Sequence, residues 1–149
     1  PNTALLIIAA IASPLIIIGF IGILAAIAIP AYQDYTQRAQ VGEAFGAASG
    51  PKVALAEFAQ ANNARFPNAD ELTQLGLGDV LISQYSTITV EPNTGIVLVT
   101  MKVAGEAGGD IAQRRIEFAP RITDRFQFIC RSEIEQKFLP KTCEGDARL

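Results

Sequence analysis

Hydrophobic positions are packed into the front of this chain and alternate toward its back. From Ala4 to Ile29 every side chain is apolar or small apart from Ser13, and no side chain before Asp34 is charged. The stretch Leu15–Tyr35, LIIIGFIGILAAIAIPAYQDY, turns polar only after Pro30. A bilayer's hydrocarbon core is about 30 Å thick and takes roughly 20 apolar residues in helix. In lipid the backbone must satisfy its own hydrogen bonds, so the run predicts a spanning helix. A core helix of a soluble protein rarely runs so far without a charge, and a secretory signal wants a basic segment in front. No Lys or Arg precedes Arg38.

Pro14, the pair Gly19 and Gly22, and Pro30 interrupt the run. Proline removes an amide donor, and glycine permits close approach of a neighbouring helix. A lone anchor needs neither feature, whereas a helix that packs on copies of itself can use both. Beyond the run, Tyr32, Tyr35, Ala39, Gly42, Phe45 and Ala48 recur at steps of three and four and predict one buried helix face. One helix is predicted over Leu15 to about Asn62, with Gly50-Pro51 expected to kink it or to end it and start another.

From there the pattern changes. Asn62-Asn63 and Pro67-Asn68 are turn chemistry, and Ala69 to Gln74 suits one short helical turn. Tyr85 to Val90 then alternates with period two and is rich in β-branched residues. Pro92 to Gly95 reads as a turn and Ile96 to Val103 as a second strand. Gly105 to Asp110 reads as a flexible loop. Arg114–Ala119 and Phe126–Cys130 read as two further strands, separated around Pro120. Four successive strands without an intervening helix predict an antiparallel meander packed on the helix, an α+β roll. Residues 1–30 are expected to form the apolar segment and 31–149 one globular domain. Within that domain lie a connection over about 62–84 and a sheet over about 85–130.

Composition narrows the function. The chain of 149 residues has a net charge of −3 with both signs mixed, which predicts no nucleic-acid groove. It has no histidine, so the commonest general base is missing, and no nucleophile–base, metal-spaced or phosphate-loop motif stands out. No cofactor, metal or catalytic residue is expected. Gly105-Glu-Ala-Gly-Gly-Asp110 lacks the Lys-Ser/Thr ending of a phosphate cradle. Glu133, Glu135 and Asp146 read as solvated acids rather than a cation site, and Arg114-Arg115 as charge guarding a strand edge. The two cysteines, Cys130 and Cys143, in a membrane-tethered domain read as one disulfide on an oxidising side of the membrane.

Two motifs carry a resemblance. Gly22-Ile-Leu-Ala-Ala-Ile-Ala-Ile-Pro30-Ala-Tyr32-Gln-Asp-Tyr35-Thr-Gln-Arg38-Ala-Gln40 resembles the N-terminal helix of type IVa pilins. Cys130-Arg-Ser-Glu-Ile-Glu-Gln-Lys-Phe138-Leu-Pro140-Lys-Thr-Cys143 resembles the same family's C-terminal disulfide loop, with its Phe-x-Pro-Lys-x-Cys ending. The resemblance spans residues 15–145 and implies the pilin roll. In that fold a long helix, apolar in its first half, packs on a four-stranded antiparallel sheet closed by a disulfide loop. It implies a subunit of a helical surface filament that serves adhesion, twitching motility or DNA uptake. Before assembly the subunit would sit in the bacterial inner membrane and meet the pilus assembly machinery.

The resemblance also implies roles. Gly19, Gly22, Leu24, Ile27, Pro30, Tyr32 and Tyr35 would pack helix on helix in the filament core. The connection over 62–84 would contribute to subunit contacts. Arg131, Glu133, Lys137, Phe138, Leu139, Pro140 and Lys141 would form an exposed loop able to bind host glycans or surfaces, although Phe138 tucked against the sheet is an equal alternative. DNA is a partner only as a family possibility. The N-terminus departs from the pattern. Counted back from Pro30, the family's first Phe falls on Ala9, its Glu on Ser13 and its pre-cleavage Gly on Ile8. Ser13 cannot supply the charge that the family Glu offers to a neighbour's amine. A minor pilin or pseudopilin of a secretion machine, and a monomeric membrane-anchored periplasmic domain, are the alternative readings.

Overall fold

The computed structural model describes residues 2–123 and 125–149. Pro1 of the expected apolar segment and Asp124 of the expected sheet region lie outside them. Helix α1 covers Asn2–Ala61, α2 covers Ala69–Gln74, and six strands follow: β1 (Leu81–Ile82), β2 (Ser86–Val90), β3 (Val97–Met101), β4 (Arg115–Ile122), β5 (Phe126–Ser132) and β6 (Cys143–Glu144). Contacts divide the chain into a unit ending at Tyr35 and a second unit, Thr36–Leu149.

The first unit is helical, and its large apolar side chains, from Leu5 to Ile29, all stand open to the surroundings. In the second unit, α1 buries Gln37, Val41, Ala44, Ala48, Pro51, Leu55 and Ala59. This corrects the expected face: of the residues predicted to be buried only Ala48 is, Phe45 is half-buried, and Tyr32, Tyr35, Ala39 and Gly42 are exposed. The spacing of three and four was right but the stripe is rotated, with Val41, Ala44, Ala48 and Leu55 the residues that join the core. Pro51 neither ends α1 nor starts another helix, and its ring is buried. The helix stops instead at Asn63 and Ala64, both in the left-handed region, where Ala64 N donates back to Ala59 O. Asn68 caps α2 reciprocally with Glu71, each side chain accepting from the other's backbone amide.

The sheet order is β1-β2-β3-β4-β5-β6, so every neighbour in sequence is a neighbour in space. The expected meander is β2 to β5, all antiparallel. Two short strands enlarge the expected four to six, and β6 runs parallel to β5, pairing Cys130 with Cys143 and Arg131 with Glu144. Strand β4 also passes through Pro120, where a break was expected. Strand β3 ends its pairing at Val97 opposite Phe118, so beyond that point one edge of β4 has no ladder for a missing amide to disrupt. Ile88, Val97, Val99, Met101, Ile116 and Phe118 alternate inward against Leu55, Leu72, Ile111 and Ile134. At the β2–β3 turn Gly95 has φ +69° and lies against the Phe66 ring, so a side chain there is excluded twice over.

Candidate functional site

Two surfaces of the described residues stand out. The first is the apolar helix. Among the described residues, α1 is the one helix long and apolar enough to cross a membrane. Leu24 and Ile27 are 64% and 69% exposed, and Tyr32 and Tyr35 are 70% and 71% exposed. At Gly19 and Gly22 an added Cβ would meet nothing within 4 Å. These glycines therefore relieve no crowding inside a single chain. Water cannot cover a surface of this kind at acceptable cost, so lipid or other helices must.

The second surface is the loop closed by Cys130–Cys143. Phe138 is 3% exposed and Leu139 half-buried, and with Pro140 they wall a groove of about 420 Å³ whose other side is Arg38, Val41, Gly42 and Phe45 of α1. The open alternative for Phe138 therefore resolves toward packing, with the helix supplying part of the wall. Lys137 Nζ stands 4.5 Å from the centre of the Phe138 ring. Glu133 is drawn into the fold by Arg115, whose Nη2 donates to Oε1 at 2.6 Å and whose backbone amide donates to Oε2 at 3.1 Å. Those bonds hold the Glu133 carboxyl below its ordinary pKa. They also take it out of the grouping with Glu135 and Asp146. Arg131, Pro140 and Lys141 remain exposed. The 3-10 turn Gln136–Phe138 is tied to the tail, since Gly145 N donates to Gln136 Oε1, and the tail is tied to the end of β5 by Ala147 N donating to Ser132 O.

With this architecture in place, comparison with known families is decisive. The model of the pilin family, a family of bacterial filament proteins, matches residues 37–144. The chain belongs to the pilin family. The pilin is 35% identical to the fimbrial protein EcpC of Eikenella corrodens over 140 residues, covering 89% of this chain and 87% of that one. It is 32% identical to the type IV major pilin protein PilE1 of Neisseria gonorrhoeae over 150 residues, covering 89% and 90%. A fimbrial protein of Moraxella nonliquefaciens is 42% identical over 88 residues, about half of each chain (57% and 56%). The family is structural rather than enzymatic, and the pilin is a filament-forming subunit.

Several features of the pilin head escaped sequence reasoning. Gln37 Nε2 donates to Asp110 Oδ2 at 2.9 Å, and Gly108 N donates to Gln40 Oε1 at 2.8 Å, so the Gly-rich loop expected to be plain and flexible is fastened to α1. Gly108 has no side chain because the Gln37 stem fills that space. Ser83 Oγ donates to Glu43 Oε1 in the same manner. Lys52 Nζ lies 4.2 Å over the Phe118 ring, which Phe45 meets edge-on at 5.1 Å. The available signal was the polar residues at helical spacing, Gln37, Gln40 and Glu43, on a segment whose buried face was read from its aromatic and small residues.

Proposed function

We propose that this pilin is the major subunit of a type IV pilus, assembling into a helical homopolymer with the apolar helices inside and the heads outside. One observation carries the reading: an apolar helix with its large side chains exposed, joined to a finished, disulfide-closed head. The head has buried its own core and has no use for the helix surface, so that surface serves assembly. The near-complete coverage of the Neisseria gonorrhoeae major pilin supports the same conclusion. Before assembly the helix would sit in the bacterial inner membrane, from which the pilus machinery draws subunits. Exchange from lipid to a helix bundle carries little of the gain that transfer from water would, so packing at Gly19, Gly22, Leu24, Ile27, Pro30, Tyr32 and Tyr35 would set the balance.

The filament would serve adhesion, twitching motility or DNA uptake. Host glycans or surfaces would meet the disulfide loop at its exposed members, Arg131, Lys137, Pro140 and Lys141, with Phe138 and Leu139 holding the loop from beneath. The test is electron microscopy of material sheared from cells that express the chain, with mass spectrometry of the filaments. Filaments several nanometres wide built of this chain support the reading. A chain confined to the membrane fraction overturns it and favours a low-copy pseudopilin.

A further inference from the structure

The two sides of the sheet are unlike in charge. From Phe66 to Met101 every charged residue is acidic, namely Asp70, Glu71, Asp79 and Glu91. From Ile111 to Arg131 the balance reverses, with Arg114, Arg115, Arg121, Arg125 and Arg131 against Glu117 and Asp124. The acidic stretch includes β1, one edge of the sheet, with Asp79 just before it, and the basic stretch includes β4 and β5 toward the other edge, where β6 covers only the end of β5.

Each edge also carries an unfinished apolar feature. On the β1 side Val80 and Ile82 are 55% and 77% exposed, and their spacing of two puts them on one side of an extended segment. Asp79 beside them is exposed and, among the described residues, forms no ion pair. On the other edge β5 pairs with β6 only at Cys130 and Arg131, so Phe126–Ile129 faces outward unpaired. There a groove of about 430 Å³ runs between α1 and β5, lined by Lys52, Val53 and Ala56 and by Phe126, Gln127 and Phe128. Burial beside Phe118 lowers the Lys52 pKa by desolvation, a cost that a docked carboxylate would offset.

We infer that the β1 edge of one copy docks into the α1–β5 groove of the next, Val80 and Ile82 entering the groove and Asp79 meeting Lys52. This deepens the filament reading and rests on it. The occupant is a second copy because one chain carries both halves, opposite in sign and on opposite edges. Such a contact is head-to-tail, the kind that builds an open helical filament where its rotation does not close. An unpaired β5 edge and the short β1, with Asp79 just before it, are then each covered by their partner in the row.

Unmodified filaments supply the test. A carbodiimide joins a carboxylate to an amine in direct contact and adds no spacer. The single chain dispersed in detergent is cross-linked in parallel, so a Lys52–Asp79 bond that forms in filaments and not in the dispersed chain lies between copies. Mass spectrometry of digested, cross-linked filaments should find the Lys52 peptide joined to the Asp79 peptide. Filaments that cross-link elsewhere but never through this pair overturn the docking and leave the filament reading standing. If the parent chain yields no filaments, both fall. Charge reversal gives a second measurement. Asp79→Lys should lower sheared filament by at least about tenfold, and adding Lys52→Asp in the same chain should restore it. Loss in the single variant without restoration in the pair overturns the docking.

Discussion

Arg115 and Glu133 are bound twice over: the Glu133 backbone amide donates to the Arg115 carbonyl at 3.0 Å, while Arg115 Nη2 donates to the Glu133 carboxylate at 2.6 Å. The pair continues the β4–β5 ladder one step past Ile116 and Ser132, into the disulfide loop. It fixes where the loop leaves the sheet.

A pH dependence follows from this pair. Because the folded-state pKa of Glu133 is depressed, its stabilisation is present above the ordinary carboxylate value, about 4.3, and is lost as pH falls through the depressed value. Both side chains are partly exposed, so the effect is small. Glu133→Gln should lower the melting temperature of the detergent-solubilised chain by about 2–5 °C near neutrality. Thermal unfolding across pH should show that gap steady above about pH 5 and closing below about pH 4.

Removing the disulfide should cost more. Cys130 and Cys143 are 13 positions apart, and closing a loop of that size contributes roughly 3 kcal/mol in the chain-entropy account. The double variant Cys130→Ser/Cys143→Ser should unfold in denaturant with about that loss. The parallel β5–β6 pairing should exchange its amide protons first, since it joins the two cysteines themselves.

Within the loop, packing and display separate by residue. Phe138→Ala empties a buried aromatic site and should destabilise the head by about 3 kcal/mol. Lys141→Ala touches only exposed surface and should stay within about 0.5 kcal/mol of the parent. Denaturant titration of the two variants checks the contrast. If the loop binds a surface or glycan, Lys141→Ala should weaken adhesion at unchanged stability.

Gly22 tests assembly without disturbing the single chain. A Cβ there meets nothing, so Gly22→Leu should accumulate in the membrane at the parent level. Close approach of neighbouring helices would be blocked, and filament yield should fall several-fold. Comparing membrane and sheared fractions by immunoblot reads both quantities. Equal filament yield would show that helices do not pack through this glycine.

The parts of this protein written in local chemistry were legible in the sequence. The apolar run up to Pro30 could only be covered by lipid or helix, because its composition leaves no polar face. The strands β2 and β3 and the turn between them are read from period-two alternation around Asn93 and Gly95, and the disulfide from a pair of cysteines with no other partner. Tertiary structure decided matters in which two elements must meet. Spacing along α1 says which residues share a face, yet Gln37 is buried because the Gly108 backbone lies against its stem. Pro51 remains in the helix because its ring is buried against the head, and packing overrides a local breaker. Phe138 had two equal fates until the loop folded onto Val41 and Phe45. Periodicity constrains a segment against itself, whereas burial is a property of the surface that arrives to cover it.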